Sequence, residues 1–127
     1  MPRYFTLEEA NAVLQEILPL IDEIQTIRQE IMADQPEIWP AIQRSAGNGG
    51  KPALGKLVQS FERLDELLHR IQATGALVKD INTGLVDFPA LRAGQEVYLC
   101  WKYGEEKIEY WHEVEAGFAG RQPISKF

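Results

Sequence analysis

Residues 7–31 read LEEANAVLQEILPLIDEIQTIRQEI, and the spacing of their apolar side chains decides the fold. Leu7, Leu14, Ile21 and Arg28 share one position of a seven-residue repeat, and Ala10, Ile17, Ile24 and Ile31 share another. Residues so spaced occupy the a and d positions of a coiled-coil-like seam, which only a helix gathers onto one face. A third series, Val13, Leu20 and Ile27, lies beside the first, while Glu9, Glu16, Glu23 and Glu30 recur on the far side. The start is also legible: Thr6 and Glu9 have capping-box spacing, and Phe5 can staple onto Ala10. A first helix is predicted over 6–33. Pro19 removes one backbone donor and should bend it without changing its phase.

Outward from this helix, the punctuation changes. All ten glycines lie at or after Gly47, and residues 34–51 carry Pro36, Pro40 and the run Gly47-Asn48-Gly49-Gly50. This predicts a linker with a short helical turn around Trp39, followed by a mobile loop. A second helix over 52–74 follows from Leu54, Phe61 and Leu68 in one register and Leu57, Leu64 and Ile71 in the other, with Pro52 near its start and Gly75 after its end. The two helices should form an antiparallel hairpin. The second has a two-series seam and covers only part of the first, so Val13, Leu20 and Ile27 need a further cover, either the C-terminal half or a second subunit. Helices of roughly 40 and 30 Å, at 1.5 Å per residue, favour a homodimer with those three residues at its interface. Arg28, a charge within the seam, either sets register by pairing near Asp65 or snorkels at the end of the core.

From Ala76 the period drops from 3.5 to 2. Runs at 77–79, 85–88, 96–103 and 107–114 are separated by turn residues, which predicts an antiparallel β-meander over 76–114 and a Gly-containing tail over 115–127. The fold class is α+β in a single domain. Gly104-Glu105 suits a two-residue type II′ hairpin pairing Trp101 with Ile108, Leu99 with Tyr110 and Val97 with His112. That register puts Val97, Leu99, Trp101, Ile108 and Tyr110 on one face, and Tyr98, Cys100, Lys102, Glu109, Trp111 and Glu113 on the other.

Composition narrows the function. The 127 residues carry 13 Lys+Arg against 19 Asp+Glu, a net charge of -6, which argues against nucleic-acid binding or an anionic membrane surface. Residues 1–50 hold eight acids and three bases, so most of the acidity is the outer face of the first helix. Such a stripe is usually a solvated face and is a weak docking signal. No apolar run approaches the roughly 20 residues of a membrane span. The single Cys100 excludes an intrachain disulfide, no secretory leader opens the sequence, and a cytoplasmic location is expected.

Eight of the twelve aromatic residues lie from Phe88 onward, together with His112 and the segment Gly117-Phe118-Ala119-Gly120-Arg121, so a site is expected there. In the same half Gly84-Leu-Val-Asp-Phe-Pro89, Val97-Tyr-Leu-Cys-Trp101, Gly104-Glu105, Tyr110-Trp-His112 and Gly117-Phe-Ala-Gly-Arg-Gln-Pro123 resemble the bacterial family called domain of unknown function 2203. The opening Tyr4-Phe-Thr-Leu-Glu-Glu-Ala-Asn11 is similar to the start of that family. The resemblance spans nearly the whole chain and brings no activity, substrate or catalytic residue with it.

The candidate ligand-binding residues are His112, Arg121, Asp87, Tyr110 and Trp111. His112 can act as base or ligand near neutral pH, or be held by a carboxylate or carbonyl. Asp87 either points to solvent, as strand alternation favours, or partners a cation such as Arg121. Arg121, with backbone amides of its Gly-containing segment, could receive a small anion. Metal readings are thin. Glu66 and His69 have Glu-x-x-His spacing but face away from the second helix's seam, and four Cys or His ligands for structural zinc do not exist. His112 with Glu113 and Asp87 leaves a zinc reading open. Cys100 reads as a packed side chain rather than a nucleophile. No cofactor motif is present. The expectation is a homodimeric interaction or small-ligand-binding protein; the alternative is an enzyme whose C-terminal aromatic, His and Arg pocket takes a small anionic substrate.

Overall fold

The computed structural model describes residues 3–45 and 58–126; the loop expected through Gly47–Gly50 and the start of the second helix near 52 lie outside the described residues. Helix α1 spans Leu7–Asp34 and begins with the expected reciprocal cap. The Glu9 N–H donates to Thr6 Oγ1 at 3.1 Å, and the Thr6 N–H donates to Glu9 Oε1 at 2.8 Å, satisfying two otherwise orphaned donors. The helix runs unbroken through Pro19, which is exposed, as is Gln15, whose carbonyl loses its partner. A 3₁₀ turn over Pro36–Ile38 leads into α2, Trp39–Ser45, whose Trp39 and Ile42 are buried. Helix α3 spans Val58–Ala73 and buries Phe61, Leu64, Leu67, Leu68 and Ile71. The chain then turns through Gly75 at φ +97°, a conformation glycine adopts without steric cost.

Helices α1 and α3 are antiparallel. Arg63 Nη2 donates to Glu23 at 2.8 Å midway along the pair, and Arg3, ahead of α1, donates to the Thr74 carbonyl just past the end of α3. The helical hairpin is followed by five antiparallel strands in the order β1-β2-β3-β4-β5, namely Leu77–Asp80, Leu85–Arg92, Gln95–Lys102, Tyr110–Glu113 and Gln122–Pro123. The α+β architecture is as expected, and part of the tail joins the sheet as β5. No helix among the described residues is long and apolar enough to cross a membrane.

One face of the sheet belongs to the helix-containing core: Val86, Phe88, Ala90, Val97, Leu99, Trp101 and Trp111 are all buried in it. The α1 segment is tied to the sheet along its length. The Phe5 N–H donates to the Pro89 carbonyl, the Ile108 N–H to Asn11 Oδ1, the Tyr103 hydroxyl to Asp22 and Gln25 Nε2 to the Ile81 carbonyl. This docking revises the expectation for Val13, Leu20 and Ile27. Val13 and Ile27 are buried and Leu20 is half-buried in a core that α1 shares with the other helices and the sheet of the same chain. Arg28 neither pairs with Asp65 nor snorkels free: its Nε donates to Asn82 in the β1–β2 turn at 2.7 Å.

The expected β3–β4 register is wrong by one residue. The structure pairs Tyr98 with His112, Leu99 with Trp111 and Cys100 with Tyr110. The Glu105 N–H bonds the Lys102 carbonyl, so the tight turn centres on Tyr103 and Gly104 rather than on Gly104 and Glu105. Ile108 then leaves the ladder, is buried in the core and is held by Asn11, and pairing resumes only at Tyr110.

Gly84 closes the β1–β2 turn at φ +71°, and a Cβ added there would overlap Cβ of Tyr103. Gly104 has φ +104° with open space around it. In urea denaturation, Gly104→Ala should cost roughly 1–3 kcal/mol from backbone strain alone. Gly84→Ala should cost clearly more, and equal losses would show that the Gly84–Tyr103 approach is not tight.

Candidate functional site

Strand pairing builds the site. Asp87 on β2 lies directly opposite Cys100 on β3, which lies opposite Tyr110 on β4; Pro89, Tyr98 and His112 form the next row. Side chains alternate across a pleated sheet, so these six project from the face opposite Phe88, Leu99 and Trp111. That face is not open to solvent. Asp87 is 2% exposed, Cys100 0% and His112 2%. The expectation that Asp87 points to water is thus overturned: the second face of the sheet has its own cover, from Tyr98, Tyr110 and the C-terminal segment. Arg121 lies 4.1 Å from the Tyr110 ring centroid and 4.7 Å from that of Phe118, and its Nη2 donates to the Cys100 carbonyl and to Glu105.

Within the cover, His112 Nδ1 is 2.8 Å from the Glu113 carbonyl, which only accepts, so Nδ1 carries a hydrogen. Nε2 is 3.1 and 3.2 Å from the two Asp87 oxygens. One proton therefore lies between the imidazole and the carboxylate, and the pair is neutral as a unit. The Tyr98 ring meets His112 edge-on at 5.6 Å. One ligand-capable atom from each of Asp87, Cys100 and His112 lies within 4.8 Å of the others. Burial, reinforced by the Asp87 carboxylate, pushes the Cys100 thiol up to about 12 against the opposing influence of Arg121.

This geometry separates the chemical readings. A Cys–His–Asp relay requires a histidine nitrogen for the thiol and the other for the acid. Here Nδ1 serves a backbone carbonyl and Nε2 serves Asp87, so His112 has no nitrogen left to activate Cys100, and the thiol is both buried and held protonated. The structure brings together His112, Asp87, Tyr110 and Arg121, four of the five residues expected. It does not bring Trp111, which lies in the core on the opposite face. Glu113 contributes only its backbone carbonyl to His112, and its side chain is exposed. In the Gly-containing segment the Gly120 and Arg121 N–H groups are already engaged, bonding the carbonyls of Gly117 and Phe118. Glu66 and His69 face outward, joined to Arg63 and Asp65.

Sequence reading missed Cys100 and Tyr98 as members of the site: the one-residue slip sent them to the face away from His112, and Cys100 read there as a packed side chain. The signal that could have found them is Trp111. The slipped register placed this large apolar ring beside Lys102 and Glu109, whereas the observed one sets it opposite Leu99 in the core.

Removing one partner of a buried pair leaves the other without compensation. Asp87→Ala and His112→Ala are each expected to lower stability by roughly 3–5 kcal/mol in urea denaturation. The double variant should lose less than the sum of the two, and strict additivity would mean that the pair is not coupled. Cys100 should react with a thiol reagent in the native protein only as fast as the structure opens; fast stoichiometric labelling would contradict its burial.

Comparison with curated proteins and with solved structures finds no match to either. The family model described as an uncharacterized conserved protein (DUF2203) matches residues 3–124, nearly the whole length, and the chain belongs to that family.

Proposed function

We propose that the chain is a small-ligand-binding protein of the bacterial cytoplasm, and that its ligand is a small anion held on the sheet face remote from the core helices. The observation that carries this reading is the convergence of two cations on Phe118. Lys102 Nζ lies 5.7 Å and the Arg121 guanidinium 4.7 Å from that ring centroid. Phe118 and Lys102 also line a groove of about 220 Å³ with Asp80, Thr83 and Leu85.

Arg121 is suited to the task because it is already immobilised. Its plane is stacked on Tyr110, one nitrogen is fixed by Glu105 at 2.7 Å, and its Nε is buried without an acceptor. A fixed guanidinium loses little freedom when an anion arrives. The unpartnered, buried Cys100 fits a reducing compartment. Binding on this face needs one chain only. The enzyme reading draws no support from a nucleophile–base pair, since His112 is fully engaged.

The test is thermal unfolding of the wild-type chain with inorganic phosphate and with small mono- and dicarboxylates. An anion present at a hundred times its Kd adds about 2.7 kcal/mol of stability. At least one should raise the midpoint for the wild type and fail to do so for Arg121→Gln and Lys102→Gln. Equal shifts in all three proteins, or none in the wild type, would reject this reading.

A further inference from the structure

We propose that Asp87, Cys100 and His112 form a binding site for a divalent transition metal, zinc above all, with a carboxylate oxygen, the thiolate sulfur and imidazole Nε2 as three ligands and a fourth position left to water or a small donor. This inference stands apart from the anion reading and uses different atoms.

Geometry carries it first. Zinc holds oxygen, nitrogen and sulfur ligands at about 2.0–2.3 Å in a tetrahedron, which places ligand atoms about 3.3–3.7 Å from one another. His112 Nε2 and Asp87 Oδ2 are 3.1 Å apart, and all three ligand-capable atoms fall within 4.8 Å. Shifts on the order of an ångström would complete the first three bonds. The ligands stand on β2, β3 and β4, three neighbouring strands of one sheet, so hydrogen-bonded backbone rather than loop sets their spacing.

The histidine is oriented as a metal ligand. Its Nδ1–H is tied to the Glu113 carbonyl, which fixes the tautomer and turns Nε2 toward the carboxylate. Metal-bound histidines commonly donate their second ring N–H in this way. The proton shared by Nε2 and Asp87 then occupies the place of the cation.

Charge is consistent with the exchange. Without metal, the carboxylate, imidazole, shared proton and thiol sum to zero. Loading releases two protons to solvent, one from the His112–Asp87 pair and one from Cys100, and takes up two positive charges, so the buried cluster stays neutral. The nearby Arg121 charge is matched by Glu105 at 2.7 Å. The donor set selects the metal class: thiolate and imidazole favour zinc and its neighbours, whereas magnesium and calcium require oxygen ligands throughout. Three protein ligands rather than four is the pattern of an open site.

The test uses the full-length, tag-free chain stripped with a chelator and titrated with Zn²⁺ and, separately, Co²⁺. The expected result is one equivalent per chain, with a thiolate-to-cobalt charge-transfer band and the intense visible absorption of four-coordinate cobalt. Cys100→Ala should abolish the charge-transfer band. Asp87→Asn and His112→Gln should each weaken Zn²⁺ binding by about 100-fold or more, at or beyond the roughly 10–100-fold that loss of a supporting hydrogen bond costs. His69→Ala, at the other histidine, should change neither reading. A cobalt complex without the sulfur band, or Zn²⁺ affinity unchanged in Cys100→Ala, would overturn the proposal. Should Asp87→Asn or His112→Gln fail to fold by circular dichroism, the wild-type spectrum and Cys100→Ala decide the matter. Absence of zinc binding beside an intact anion-dependent thermal shift would remove the metal site alone.

Discussion

The register between β3 and β4 is the constraint on which the rest of this molecule depends. A one-residue slip in a sheet sends every side chain of the strand to the other face. With Leu99 opposite Trp111, both large apolar side chains enter the helix-facing core, and Cys100 and His112 are delivered together to the other side. The register is set outside the ladder. The Lys102–Glu105 turn closes early, the Trp101 indole N–H donates to the Glu105 carbonyl, and Ile108 is drawn away to Asn11 on α1. A helix contact near the start of the chain thus fixes which face of a distant strand carries the polar cluster.

The two faces of the sheet solve different problems. Against the helices, burial is almost wholly apolar, and the packing of Phe5 edge-on to Phe88 at 5.4 Å is typical of it. On the other face an ionisable pair is buried with little water around it. Such a pair gains less than well-packed hydrophobic residues of the same volume would, because desolvation offsets much of the attraction. Placing a carboxylate, an imidazole and a thiol there is therefore a poor way to stabilise a small domain. Its explanation is better sought in what the three groups can hold.

How much of this was legible beforehand follows from which interactions are local. The capping box at Thr6 and Glu9, the α1 heptads, the turn glycine Gly75 and the period-2 pattern after Ala76 are encoded within a few residues, and each matches the structure. The failures are all non-local. Asp87 looked solvent-facing because alternation assumes that one face of a strand is wet, and here that face is covered and the carboxylate meets His112. Val13 and Ile27 looked unpartnered because the way distant segments close over α1 leaves no periodic trace. The hairpin was misjudged because Gly104 serves a turn at either central position, and only the distant Asn11–Ile108 bond shows which. Four of the five residues expected at the site nevertheless lie together, since His, Asp, Tyr and Arg are conspicuous among apolar strands, whereas Cys100 passes for an ordinary core residue.

Cys100 shows why the distinction between buried and inert matters. In isolation its burial and its raised thiol describe a packed, unreactive side chain. Its position opposite Asp87, with His112 already turned toward the same carboxylate, changes that description. A nucleophile needs an approach path and surroundings that favour the thiolate, whereas this thiol is buried and the Asp87 carboxylate beside it raises its pKa. A metal ligand needs rigid neighbours of the right kind at short range and a way to lose a proton when the cation arrives. Strand pairing supplies the first requirement and the cation itself supplies the second, so features that argue against catalysis by Cys100 are compatible with coordination by it.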